Sequence, residues 1–476
     1  MMQGFETSAP VGRILVGGSG LAAEMTVAAL AAHLPPHVAI LRVDAGDQRG
    51  SDLFYGSVTA PSAYAFNLSV GVDERRLILD SDTSFSWGTR YADWGGRGWM
   101  QGFALPFPVI DGVQLHQYLT LVAADGIAPY VAGVQAARRG VFVHPPREGD
   151  GQHPLARAEY GYQFDPADYA ALFAAAVPAG RVERVAGSVV GVDVAEGVIA
   201  GVRLDDGGLV RADLYVDCSG PAALLLSALA SDWQGDRRIG ITVEDRASAD
   251  EAPLRTVRVS PEGWQSETPL KGRVRHIRVS TAGAVEATTG RRSRGWVGNC
   301  VGIGQAVAMV EPLTPAPMML LERDIERLLT LIPVRHDMGV EACEYDRRFA
   351  DDHDHVDLFQ RAFFTADGLP DGPYWQAAKA RAVPEKLARK LGMFAERGVL
   401  VAYDLEPFHP EDWTILHMGM GLRPARHDRL ADRADPARVR QFLMKMAGDI
   451  EAAVAKLPPA RIYRAQLEQY LKRGMV

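Results

Sequence analysis

The sequence predicts an α/β fold that opens on a β-turn-α-β unit, and three observations in the first 44 residues predict it. Residues 12–16 form a short apolar run with strand character. Gly18-Ser19-Gly20-Leu21-Ala22-Ala23 follows and leads into an Ala-rich, helical stretch over residues 22–33. A second apolar run, residues 38–43, closes on Asp44. Strand, Gly-rich turn, helix and strand in that order open a Rossmann-like fold.

The turn fits the pattern GxGxx(G/A). Its first glycine allows a tight turn, and its second lets the backbone approach a pyrophosphate. The small third residue, Ala23, lets helix pack on strand. The helix start then offers free N–H groups and the positive end of its dipole to a phosphate. Asp44 lies about twenty residues further on, where an acid binds a ribose hydroxyl. The fingerprint points to a dinucleotide without separating FAD from NAD.

Further along, residues 160–176 read as a loop followed by a helix. Residues 182–204 read as strands broken by glycine, and residues 212–217 as a buried strand ending in Cys218-Ser219-Gly220. Residues 298–304 read as a Gly-rich turn leading into an apolar helix. Helical patterns return after residue 303 and dominate from residue 324, and residues 435–457 and 459–471 are amphipathic. Residues 149–153 and 368–373 read as exposed loops. There is no internal repeat.

Composition bounds the function. A chain of 476 residues is long enough for a sizeable core and two lobes. The net charge of −8 argues against nucleic acid or an anionic membrane as partner. No apolar run reaches the ~18–20 residues that span a bilayer. Residues 1–13 lack the charged and apolar segments of a signal peptide. The three cysteines, Cys218, Cys300 and Cys343, are far apart and form no CxxC pair. A reduced, cytoplasmic setting without disulfides or zinc is the expectation. No GxSxG, HExxH or P-loop occurs, so hydrolase and kinase readings lack support.

Several further segments, in shared order and spacing, resemble the flavin-dependent tryptophan halogenases. Gly56-Ser57-Val58-Thr59 and Val70-Gly71-Val72-Asp73-Glu74 are similar to that family's GEAT and LGIDE stretches. Tyr160-Gly161-Tyr162-Gln163-Phe164-Asp165 resembles its YxYxFD segment. Residues 212–220, ending in Asp217-Cys218-Ser219-Gly220, resemble its ADLFxDCTG strand. Gly298-Asn299-Cys300-Val301-Gly302-Ile303-Gly304 and Glu311-Pro312-Leu313 resemble its GNAxxIG and EPLE runs. Gly419-Met420-Gly421-Leu422-Arg423-Pro424 resembles its GQGxxP.

The resemblance implies FAD in a p-hydroxybenzoate-hydroxylase-like domain with an interleaved antiparallel sheet. It implies a core over residues 10–340 and a helical C-terminal lobe over residues 341–476. It also implies reduced FAD delivered by a separate flavin reductase, in keeping with the lack of a second nucleotide fingerprint, an aromatic substrate, and a homodimer. The FAD-binding positions it implies, with the fingerprint, are Gly18, Ser19, Gly20, Leu21, Ala22, Ala23, Asp44, Ser57, Val58, Thr59, Val189, Ser219, Gly220, Asn299, Gly302, Pro312, Leu313 and Thr314.

The chain departs from the family where halogenation happens. In the family, reduced flavin, oxygen and halide give hypohalous acid, which reaches a lysine, and a glutamate assists at the substrate. The lysine belongs to a segment FKxGxxFxxW, which here runs from Phe85 to Trp94 with Ser86 at the lysine position. The first lysine in the chain is Lys271, and nearby Arg90 stays protonated, so it cannot act as a neutral nucleophile. The glutamate position holds Thr314. Pro315-Ala316-Pro317 replaces the Ser-Thr-Gly that helps bind halide, and proline has no N–H to donate. The WxWxIP signature lines up with Trp264-Gln265-Ser266-Glu267-Thr268-Pro269, where Ser266 and Thr268 suggest a more open path between flavin and substrate.

Asp351-Asp352-His353-Asp354-His355-Val356-Asp357 has metal-ligating residue types, but two histidines two apart on a helix point to different sides. A solvated, charged helix is the expectation. Phe359, Phe363, Phe364, Tyr374 and Trp375 form an aromatic group suited to core packing, part of it able to wall a pocket. Structural roles are expected for His417 and His427.

The expected function is an FAD-dependent oxidoreductase that uses reduced FAD and O2 on an aromatic substrate and does not halogenate by the lysine route. Two other readings stay open. One is an unconventional halogenase acting on a large or tethered substrate, and the other is an FAD-binding pseudoenzyme or scaffold.

Overall fold

Apolar strands feeding an Ala-rich helix give the chain its first layer pair. In the structure, a computed structural model that describes residues 10–46, 50–146 and 153–473, β1 (Arg13–Gly18) runs into α1 (Gly20–His33) and returns as β2 (Ala39–Asp44). Every residue of β1 after Arg13 is buried, as befits a strand covered on both faces. Helix α1 is buried over most of its circumference, because alanines let it lie close to its neighbours. It packs on helices Pro166–Ala176 and Ala316–Thr330.

Two eight-stranded sheets organise the described residues. The first runs Leu209–Val210, Val198–Leu204, Val182–Ala195, β2, β1, Leu214–Cys218, Cys300–Gly302, Trp296–Val297. Its five central strands are parallel, and antiparallel hairpins close both edges. The register sets Gly17 opposite Asp217, and Asp217 opposite Gly302. The carboxyl ends of β1, β2 and the two strands beyond β1 therefore share one edge, where open α/β sheets bind ligands. The second sheet is antiparallel except where Arg255–Ser260 runs parallel to Gly88–Trp94. From Ala316 onward the described chain is helical, including Gly339–Phe363, Pro436–Val454 and Ala460–Arg473. No helix of the described residues is long and apolar enough to cross a membrane.

Two expectations need correction. Residues 298–304 do not lead into an apolar helix. Gly298 and Asn299 turn a hairpin, Cys300–Gly302 is a sheet strand, and Gly304–Ala306 is a single 3-10 turn, so the helix begins only at Ala316. Residues 351–357 are helical but not a solvated face, because Asp352, His353 and His355 are buried. Asp352 accepts from Arg323 at 2.7 Å and also pairs with Arg327, which reaches Asp324 at 2.8 Å. A run of charged letters conceals this, because burial of a charge depends on a partner distant in sequence. Of the two loops, residues 149–152 lie outside the described residues, and the 368–373 loop buries Leu369.

Candidate functional site

The turn after β1 is built by its two glycines. Gly18 has φ +151°, and a Cβ there would run into the carbonyl of Cys218 on the neighbouring strand. Gly20 has φ +78°, and a Cβ there would overlap the carboxylate of Asp52. Ser19 caps α1 without a side-chain cap bond and donates instead to the Gly46 carbonyl at 2.8 Å. The Asp52 carboxylate accepts the N–H of Leu21 at 2.9 Å. An anion of the chain itself thus stands at the start of α1, where a phosphate group would otherwise use the same donor. Ala22 and Ala23 are buried beneath the turn.

Around this edge the structure gathers Asp44, Val189, Ser219, Gly220 and Gly302. Asp44 ends β2 opposite Ser188, so Val189 follows directly beside it. Its side chain pairs with Arg42 at 3.0 Å and is well exposed. Ser219 hydrogen-bonds Asp217, whose fully buried carboxylate also accepts the N–H groups of Leu225 and Leu226 at 2.9 and 2.7 Å. That set of bonds shapes the turn that carries Gly220.

A second group forms around residues 57–59 and 312–314. The Ser57 and Thr268 hydroxyls share a bond of 2.7 Å, Val58 bridges to Gln163, and Thr59 accepts the N–H of Tyr162 at 2.9 Å. Gly56 packs on Pro312. Residues 51–55 connect the two groups, since Gln305 donates to the Tyr55 hydroxyl (3.2 Å) and to the Ser51 carbonyl (2.9 Å).

Asn299 and Ser86 stand apart from both groups. Asn299 lies at the start of its strand, the opposite end from Gly18, and clamps Ile199 through both its amide atoms at 2.8 and 3.0 Å. Ser86 is fully buried, and its hydroxyl bonds only the backbone of Gly88, at 3.2 Å. Glu311 is locked among Arg237, Tyr374 and Trp264.

Sequence reasoning overlooked Asp52 and Arg255. Arg255 is fully buried and donates to the carbonyls of Pro312 (2.8 Å) and Leu313 (3.2 Å), with a longer contact to Ser266 (3.4 Å). Tyr91 also donates to the Leu313 carbonyl, at 2.9 Å. Ser266 and Thr268 are the positions expected to open a path between flavin and substrate. Both residues are buried and hydrogen-bonded, and a guanidinium stands beside Ser266. A lone arginine in a strand gives no sequence signal that it is buried.

Thr314 lines a cavity of about 460 Å³ between the second sheet and the C-terminal helices. Its walls include Tyr91, Phe359, Phe408 and Glu322, while Ser86 is not among its described lining residues. Phe359 and Phe408 stack with centroids 3.9 Å apart. Burial pushes the Glu322 carboxyl up to about 8. The folded chain then holds a proton that the unfolded chain gives up near pH 4.5. Stability should be full below that pH, fall as pH rises to about 8, and level off above. Glu322→Gln keeps the bond to Ser62 and should abolish this fall, worth up to about 5 kcal/mol. Urea unfolding of both proteins between pH 5 and 8.5 checks it, and parallel pH profiles would refute it.

No group of three metal-ligating side chains is placed to hold an ion among the described residues. Burial pushes His353 and His417 down to about 3, which keeps both neutral.

Known proteins share this fold. A flavin-dependent halogenase from Brevundimonas sp. BAL3 superposes with a TM-score of 0.87 at 26% identity, over 96% of this chain and 99% of that one. One from Xanthomonas campestris gives 0.86 at 25% identity, over 96% and 98%. A tryptophan 7-halogenase of Kutzneria sp. (strain 744) is 24% identical over 445 residues, 80% of this chain and 81% of that protein. The sequence profile of the tryptophan halogenases matches residues 13–284 and 274–436. With the fold, the fingerprint edge and the family profile in agreement over most of its length, the chain belongs to the tryptophan halogenase family.

Proposed function

We propose that this protein is an FAD-dependent oxidoreductase that works on an aromatic substrate without the lysine-dependent halogenation route. The observation that carries this reading is the cavity beside Thr314. Arg323 is its only arginine or lysine among the described lining residues, and the lysine position is Ser86, buried and bonded to its own backbone. The first lysine of the chain, Lys271, pairs with Glu468 at 2.9 Å.

The residues present suit FAD. The donor at the start of α1 already takes a carboxylate from Asp52, and a pyrophosphate of like charge would replace it. Gly18 to Ala23 would hold the pyrophosphate, Asp44 the ribose, and Ser57 to Thr59 with Pro312 to Thr314 the flavin end. FAD, reduced by a separate flavin reductase, would supply two electrons to O2. The chain would orient the substrate ring against Phe359 and Phe408 and keep water from the buried floor formed by Tyr91 and Thr314. Division near residue 340 into an FAD-binding core and a helical lobe belongs to the same proposal.

The test loads the purified chain with FAD, removes free flavin, adds a flavin reductase with NADH, and follows O2. One FAD bound per chain and O2 uptake that rises when an aromatic substrate is added are expected. Absence of bound flavin would sink the reading.

A further inference from the structure

The charged residues that line the cavity beside Thr314 are mostly acids. Glu159, Glu322, Glu326 and Asp412 line it, and none of the four has an ion-pair partner among the described residues. A fifth acid there, Glu406, is neutralised by Lys390 at 2.9 Å. The one arginine of the wall, Arg323, is engaged by Asp352 at 2.7 Å through one terminal nitrogen, while its buried Nε has no partner among the described residues.

A second, independent observation lies in the hydrogen bonding. Thr89 and Glu322 are each 2% exposed, yet among the described residues the Thr89 hydroxyl and Glu322 Oε1 have no partner, and the same holds for Gln101 Oε1. All three residues line this cavity. Leaving a buried polar atom unbonded is destabilising, more so for a charged group. Three such acceptors on one cavity wall mark places for a ligand's donors. Each can accept a hydrogen bond, and an ammonium brings three N–H donors and no acceptor.

We propose that this cavity takes a substrate carrying an ammonium group beside its aromatic ring and no carboxylate, with Glu322, Thr89 and Gln101 receiving the ammonium. This deepens the oxidoreductase reading above and rests on it. Burial raises the proton affinity of all four acids, Glu322 up to about 8 and Asp412 up to about 6, against the opposing pull of His409 on Glu159 and Asp412 and of Arg323 on Glu326. A bound cation adds counter-charge beside the acids, whereas a carboxylate would be repelled by them. The stacked Phe359 and Phe408 rings offer the apolar surface for the ring.

Calorimetric titration of the FAD-loaded chain with three probes that share an indole ring tests the proposal: tryptamine, indole and indole-3-propionate. Tryptamine should bind at least tenfold more tightly than indole-3-propionate. Glu322→Gln should weaken tryptamine about tenfold and leave indole within twofold. Equal or tighter binding of indole-3-propionate, or no binding of tryptamine, would overturn the proposal on the native protein alone. An equal loss of tryptamine and indole in the variant would do the same. The flavin absorbance of the same samples separates the two readings: a chain without FAD contradicts the oxidoreductase, while its ranking of the probes still decides the charge preference.

Discussion

Replacing Asp52 with alanine should tighten FAD binding about tenfold. In the structure the Asp52 carboxylate accepts the Leu21 N–H at 2.9 Å, and a Cβ on Gly20 would overlap it, so it sits against the turn of the fingerprint. A pyrophosphate needs that donor and repels that charge. Removing the carboxylate leaves the helix start uncapped in the flavin-free protein, at a cost of about 1 kcal/mol. The flavin-bound protein loses nothing there, because the phosphate supplies the cap. The difference appears as affinity, and like-charge repulsion relieved at the helix start adds a similar amount, together about a factor of ten. Asp52→Asn should lie between the two. Fluorescence titration of FAD measures it, and weaker binding in Asp52→Ala would mean that Asp52 contacts the cofactor instead of holding its place.

The largest effect on stability is expected at Lys390. Its side chain is 2% exposed, and the ammonium pairs with Glu406 at 2.9 Å, donates to the Val401 carbonyl, and lies over the Trp413 ring at 4.4 Å. Trp413 donates to the other oxygen of Glu406 at 2.6 Å. Lys390→Ala leaves a buried carboxylate without its cation and should cost roughly 3–5 kcal/mol. The double replacement Lys390→Met with Glu406→Gln removes both charges while keeping volume and should cost less than the single one. Urea midpoints of the three proteins decide it. A single variant within about 1 kcal/mol of the parent would show that the pair is solvated.

The parts of this molecule legible in sequence are those where local chemistry dictates the backbone. Gly18 and Gly20 have to be glycines at φ +151° and +78°, so the fingerprint turn and its flanking strand and helix could be placed to within two residues. Asp217 could be placed at the end of a buried strand for the same reason. The rest depends on partners far along the chain. Asn299 looks like a cofactor residue in its Gly-rich run, but strand direction puts it at the other end of the sheet from Gly18. Asp352 and His353 sit in a run of charged letters and are buried because Arg323 and Arg327 come to meet Asp352 from another helix. Asp52 and Arg255 belong to no motif, and only the fold shows the first at the helix start and the second beneath Pro312. The substitutions at Ser86 and Thr314 were readable, but not that Thr314 faces a cavity while Ser86 is enclosed.

The measurement that bears most directly on the central claim supplies the FAD-loaded chain with a flavin reductase, NADH and O2, with and without chloride or bromide, and follows an indole-bearing substrate by mass spectrometry. The account predicts O2 uptake and product masses that do not depend on halide. A chlorinated or brominated indole formed in proportion to the enzyme would contradict it.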